Sequence, residues 1–332
     1  NIELKDCSYM FANCKNIIKI NFIFFSSKYV TNMKHMFYGC ENLKSINFCN
    51  FDTKNVNYMN SMFYGCNNID NLDLSFFDSK NVIDMNSMFS GCEKLKKLDL
   101  SFFNTEKVLD MHSMFSGCYN LSDLNISSFN TKNVIDMSFM FSNCQNLDNL
   151  ILSNFITQKV TDLSYMFFSC FSLKQLDLSN FDTKFVTNMN STFSNCLDLS
   201  DINLSSFDTN NVINMSCMFS NCVSLKNLDL SNFNTQNVNN MEFMFKQCKK
   251  LKEIKGLKKF NTENVNKISG IFDGCSEFEI IDLSNFNTSN VTKMDFMFSK
   301  CNKLKEIKGL NVFITKNVKD MSGMFQLCSE LE

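Results

Sequence analysis

One cysteine recurs along the chain at positions 14, 40, 66, 92, 118, 144, 170, 196, 222, 248, 275, 301 and 328, at intervals of 26 residues with two of 27. A period of that length constrains the fold more than any composition figure, because each unit is one supersecondary element that cannot bury its apolar face alone. The units must stack. The consensus reads C-x-x-L-x-x-L-x-L-S-x-F-[DN]-T-x-N-V-x-x-M-x-x-M-F-x-x-C, and both 27-residue units carry the insertion Glu-Ile-Lys-Gly-Leu, at 253–257 and 306–310. Residues 1–332 are therefore expected to form a single repeat solenoid of about 12 repeats, Cys14 to Cys328. The chain opens without an initiator methionine and ends just after starting another unit, so the expectation is a fragment of a longer protein.

The columns of the repeat define its interior. All 21 methionines occupy the two M positions; thirteen phenylalanines, Phe11 through Phe325, stand three before the cysteine, and twelve more, Phe25 through Phe313, follow the L-x-L. Residues placed so strictly share one environment. From Val to Cys the apolar offsets are 0, 3, 6, 7 and 10, which at roughly 100° per residue make a stripe about 120° wide and predict an amphipathic helix of about three turns. The preceding Thr or Ser would be its N-cap. L-x-x-L-x-L has period two and predicts a short strand. The fold class that follows is an α/β solenoid, a leucine-rich-repeat-like right-handed coil with one short parallel strand and one helical segment per 26-residue repeat. With the wider helical wall outside, the sheet would line the concave face.

These residues resemble the BspA-like leucine-rich repeats, the 26-residue-repeat surface protein family: L-x-x-L-x-L, the terminal M-F-x-x-C, and the string Leu-Ser-Asn-Phe-Asn-Thr-Ser-Asn-Val-Thr at 283–292. The resemblance covers essentially the whole chain. It implies a solenoid on or outside a cell surface that acts in adhesion or binding, although the free-thiol reading of the cysteines below is also compatible with the cytoplasm. One departure stands out: phenylalanine holds the position where ordinary leucine-rich repeats stack asparagine, so the turn backbone must be satisfied by the Asx, Ser and Thr side chains around it.

Composition removes several functions. The 32 basic residues are all lysine, against 34 acidic ones, so no bidentate phosphate fork exists and no nucleic-acid partner is expected. No apolar run reaches 18 residues, so no membrane insertion is expected within this segment.

Candidate chemistry is sparse. Thirteen of the 16 cysteines fill one interior column and are read as buried free thiols, and no C-x-x-C pair suggests zinc. Cys7 reads as core; Cys49 and Cys217 are possible reactive thiols without a cationic cluster beside them. His35 and His112 sit at outward, variable positions of the expected helix, and the repeated serine of the L-S pair, Ser75 to Ser284, signals structure rather than a nucleophile. Calcium where Asp73 adjoins Asp99 would need six or more converging oxygens. The chain is accordingly expected not to be an enzyme and to hold no cofactor or metal.

The outward position between the two strand leucines is acidic and amide-rich, and Asp73, Asp99, Asn125, Asp177, Asn203 and Asp229 are the candidate partner-binding residues. Lys255 and Lys308 end this stripe, so its acidity should fade toward the C-terminus. Phe76, Phe102, Ile151, Phe171 and Leu197 form a second, apolar candidate. The expected function is a non-enzymatic cell-surface repeat protein mediating adhesion or binding of a protein or glycan partner across the concave sheet. The alternative is a structural component of an extracellular filament, sheath or virion-like assembly, with self-association along the solenoid through helical-side residues such as Phe139, Tyr165, Phe243 and Phe296.

Overall fold

The computed structural model describes residues 3–48 and 51–332. Two compact units divide the chain, Asn1–Val160 and Thr161–Glu332. Each is a stack of the 26-residue coils. In the first, β1 (Lys19–Asn21) pairs in parallel with β2 (Ser45–Asn47), and β3 (Lys97–Asp99) with β4 (Asp123–Asn125). In the second, β5 (Gln175–Asp177) pairs with β6 (Asp201–Asn203), β7 (Asn227–Asp229) with β8 (Glu253–Lys255), and β9 (Ile280–Asp282) with β10 (Glu306–Lys308), all parallel. Every pair is in repeat register, Leu98 against Leu124 and Leu176 against Ile202. Among the described residues the parallel sheet expected from the repeat is thus a set of two-stranded ladders, three residues long.

The expected helix is absent, and the α/β class is corrected to a β-solenoid: among the described residues there is no α-helix. The reason lies in two backbone positions. In every coil the fifth residue before the cysteine and the residue directly before it have φ between +53° and +78°. A left-handed residue cannot continue a right-handed helix. The segment instead runs as successive tight turns whose amides divide into two sets. Met36, Tyr38 and Cys40 donate three residues back, to Met33, His35 and Phe37. Met33, His35, Phe37 and Gly39 donate to carbonyls of the next coil, at 2.9, 3.0, 2.9 and 2.7 Å. The second unit repeats this at Met189, Ser191, Phe193 and Asn195. Turns of this kind point Met, Met, Phe and Cys inward at i, i+3, i+4 and i+7, which is also a helix's spacing.

The interior columns are as the sequence requires. Both phenylalanine columns are buried through the middle of each unit and partly exposed only at Phe11, Phe25, Phe313 and Phe325. Rings of the first column stack in the first unit from Phe11 to Phe141 with centroids 5.5–5.8 Å apart. In the second unit they stack from Phe167 to Phe325 at 5.4–5.9 Å. Offset stacking of this kind adds about 0.5–1.5 kcal/mol per pair beyond burial.

Backbone groups at the turn after the strand are satisfied by the column expected to be N-caps. Thr105 is wholly buried; its hydroxyl accepts from the Asn130 amide at 2.8 Å and donates to the Asn130 carbonyl at 3.0 Å, one coil on. Thr53, Thr131, Thr183 and Thr209 act alike. An asparagine ladder does exist, two residues further along: Asn81 Nδ2 donates to the Lys54 carbonyl and Asn237 Nδ2 to the Asn210 carbonyl, at 2.8 and 2.7 Å.

Candidate functional site: the outward strand face

In each strand the central Leu or Ile turns inward while its neighbours face out. Asp99, Asn125, Asp177, Asn203 and Asp229 close β3 to β7 and are exposed; Asp73 is exposed in the equivalent segment, which forms no ladder. Within each unit the side chains recur at the coil repeat in a common register.

Each of them already performs a task. Oδ1 of Asp73, Asp99, Asp177 and Asp229 accepts the amide of the serine two residues on, at 2.9–3.0 Å, and Asn125 and Asn203 do the same at 3.2 and 3.1 Å. These are Asx turns that stop the strand, and they explain the L-S serine column without catalysis. The bonds also favour the ionised form. The Ser75 and Ser101 amides and hydroxyls hold Asp73 and Asp99 below the usual carboxylate range, and Ser179 does so for Asp177. At Asp229 the Ser231 hydroxyl leads, its amide follows, and Lys255 and Lys259 add to it. The stripe is therefore a row of fixed charges and amides with one oxygen committed to the turn.

Its interruptions have local causes. Ile151 stands in the stripe 68 % exposed and offers no acceptor for Ser153. Lys255 and Lys308 close β8 and β10, where Gly256 and Gly309, at φ +86° and +90°, lead into short 3-10 turns at Leu257–Lys259 and Leu310–Val312. A Cβ on Gly256 would lie 2.6 Å from the Leu230 carbonyl oxygen, so only glycine fits. The shared insertion thus replaces the Asx turn by Lys-Gly.

The remaining candidates are structural. Within the column, Cys66 and Cys118 are buried and donate their thiols to the Phe37 and Phe89 carbonyls at 3.2 Å, and Cys222 to Phe193 at 3.1 Å. Burial pushes the Cys118 and Cys248 thiols up to about 12. It raises Cys7 to about 11 and pushes Cys217 above its ordinary value, so neither is poised as a thiolate. Cys49 lies outside the described residues. The two histidines are half-buried in the turn ribbon rather than on a helix: the His35 ring stacks on Tyr9 at 4.6 Å, and His112 Nδ1 lies 2.8 Å from Ser138 Oγ. Phe139, Tyr165, Phe243 and Phe296 all adopt the left-handed conformation five before the cysteine, with Phe139, Tyr165 and Phe243 half-buried and Phe296 exposed. Phe171 and Leu197 are half-buried. Among the described residues no three His, Cys, Asp or Glu side chains converge as a metal site would require, and no helix is long and apolar enough to cross a membrane.

Sequence reasoning missed one column. In the L-S-x-F turn, Ser128 Oγ donates to the Leu100 and Phe103 carbonyls at 3.1 and 2.8 Å, and Asn232 Nδ2 to Leu204 and Phe207 at 3.0 and 2.7 Å. Asn154 and Ser206 repeat the pattern. Phe76 and Phe102 occupy this column and cannot donate; their rings are 71 % and 59 % exposed. The preference for Ser and Asn at the position was the available signal.

Comparison with known proteins places the coil. A family model described as "Mycoplasma protein of unknown function, DUF285" matches residues 5–123, 92–176, 110–228, 171–256 and 252–332. A leucine-rich repeat protein from Bacteroides ovatus is similar at 18% identity and TM-score 0.57, over 98% of this chain and 81% of that one. A leucine rich cell surface protein from Faecalibacterium prausnitzii matches at 18% identity and TM-score 0.47, over 95% and 82% respectively. No curated protein matches the chain. The resemblance to bacterial leucine-rich-repeat proteins read from the repeat holds at the level of fold.

Proposed function

Because the chain belongs to the DUF285 family and folds as a leucine-rich-repeat-like solenoid, we propose that it is a non-enzymatic repeat protein that binds a protein or glycan partner across its outward strand face, in adhesion at a cell surface. The observation that carries this reading is the row of exposed Asp and Asn side chains, each pinned by its own turn. A preorganised row engages an extended partner without first ordering a loop, which lowers the entropic cost of binding. The surface location follows the resemblance of the 26-residue repeat to the surface protein family.

The test is binding of the chain to arrayed polypeptides and glycans, with asparagine placed at Asp73, Asp99, Asp177 and Asp229. Asparagine preserves the Asx turn, as Asn125 and Asn203 demonstrate, and removes only charge. Binding should weaken, and the melting curve should hold. Retained binding in that variant, with loss on alanine substitution of Phe139, Tyr165, Phe243 and Phe296, would move the contact to the turn ribbon and favour lateral assembly.

A further inference from the structure

Phe76 and Phe102 break a hydrogen-bonding column and gain no buried environment in return. Ser or Asn at their position ties two carbonyls of the preceding coil, at 2.7–3.1 Å. With phenylalanine there, the carbonyls of Phe51 and Phe77 lose that donor, while two large rings on consecutive coils face solvent. Adjacent exposed aromatics mark contact surfaces.

The charged groups beside the rings are carboxylates, with lysines that are already engaged elsewhere. Phe76 follows directly on the turn held by Asp73, and Phe102 on the turn held by Asp99. Asp73 and Phe76 line one groove with Phe51, Asp52, Lys54 and Asp78. Neighbouring carboxylates carry lysines: Asp52 with Lys54, Asp78 with Lys80, and Asp123 with Lys97, at 3.0–3.1 Å. Neither Asp73 nor Asp99 draws on a lysine, and both are held ionised by serine amides and hydroxyls alone. The surface therefore offers apolar rings and unpaired negative charge.

We propose that Phe76 and Phe102, with Asp73 and Asp99, form a docking site for a basic polypeptide segment whose arginine or lysine side chains alternate with apolar ones. Cations complement the two carboxylates and apolar side chains cover the rings. A neutral glycan would leave both charges uncompensated. The proposal rests on the strand-face reading above and specifies where on that face a partner is held and of what kind.

The probe is a short peptide alternating arginine and leucine, measured against its glutamate–leucine and arginine–serine counterparts and a neutral oligosaccharide such as cellohexaose. Two double variants accompany it, Phe76→Ser with Phe102→Ser and Asp73→Asn with Asp99→Asn, with Asp177→Asn plus Asp229→Asn as the control. Each introduces residues the same columns already use, so folding is preserved, and the serine variant should melt no lower than the parent. The arginine–leucine peptide should bind the parent alone among the probes, about tenfold or more tighter than either variant, and its affinity should fall with salt. A Phe→Ser variant that melts lower and binds equally well would overturn the site, as would cellohexaose binding that needs the rings. Peptide binding lost only on Asp177→Asn with Asp229→Asn would overturn this site while sparing the strand face. Binding indifferent to every strand-face change would overturn both.

Discussion

Replacing Thr105 by valine isolates the hydroxyl ladder, because the side chains are nearly isosteric and no cavity opens. The wild-type hydroxyl makes two bonds to the backbone of Asn130, at 2.8 and 3.0 Å, from a fully buried position. Valine leaves that amide and carbonyl facing a methyl group. Each orphaned group costs about 1–3 kcal/mol, so Thr105→Val should lose about 2–6 kcal/mol by addition. Thr105→Ser keeps both bonds and gives up one methyl, worth about 1 kcal/mol. The order is the diagnostic result. Burial and strand propensity both rank valine above serine, whereas the ladder ranks serine above valine. Urea titration followed by circular dichroism reads the order, and hydrogen exchange at the Asn130 amide reads the cause, since only valine should expose it. A valine variant as stable as the serine one, with Asn130 still protected, would refute the bridging role.

Three further expectations follow from the same coils. Phe89, wholly buried between Phe63 and Phe115, should cost about 3–5 kcal/mol on truncation to alanine, whereas Phe325, 40 % exposed and stacked on Phe298 alone, should cost less than half of that; equal losses in urea titration would contradict the stack. The buried column thiols, Cys40 to Cys301, should resist labelling by a soluble maleimide at pH 8 in the native protein and react on unfolding, because burial raises Cys118 and Cys248 to about 12; fast native labelling of these would show the column open. Acid should destabilise the chain: the folded pKa values of Asp73, Asp99, Asp177 and Asp229 are lowered, so their contribution is present above the unfolded value near ~4 and lost as pH falls through the folded ones. The four-asparagine variant should show a flatter acid limb in its melting temperatures, and an unchanged limb would count against the Asx turns.

The interior was legible in the sequence because packing is periodic there: a column of phenylalanine at one spacing admits few environments. The helix was misread for the same reason. Met33, Met36, Phe37 and Cys40 face inward at helical spacing, yet the chain reaches those directions through turns, and apolar periodicity does not distinguish the two. The discriminating signal was small and lay between the apolar columns: Gly39, Gly65, Gly91 and Gly117, then Asn143, Asn195 and Asn221, hold the left-handed position before the cysteine, where glycine and asparagine are the least strained residues. The candidate site was legible as an outward stripe but not in its duties. That Asp99 holds the Ser101 amide, and that Asp78 pairs with Lys80 while Asp73 pairs with none, depends on distances no sequence pattern states.

A stacked repeat supplies its own control for each residue, since the same column in neighbouring coils shows what the position requires for folding alone. By that comparison the charge of the exposed aspartates is surplus to folding, because asparagine at 125 and 203 performs their structural task without it. Asp84 makes the argument in the other direction. It accepts the Asn86 amide at 3.0 Å, as Asn188 and Asn214 accept those of Asn190 and Ser216. Unlike them it must carry charge in a partly buried site, and burial, together with Asp110, raises its pKa. A raised folded value means that ionisation opposes folding, so Asp84→Asn should raise the melting temperature at pH 7, and the gain should shrink as acid protonates the wild-type carboxyl. If asparagine there lowered the melting temperature at neutral pH, the negative charge would itself be stabilising the coil, and column comparison would be an unsafe guide to Phe76 and Phe102 as well.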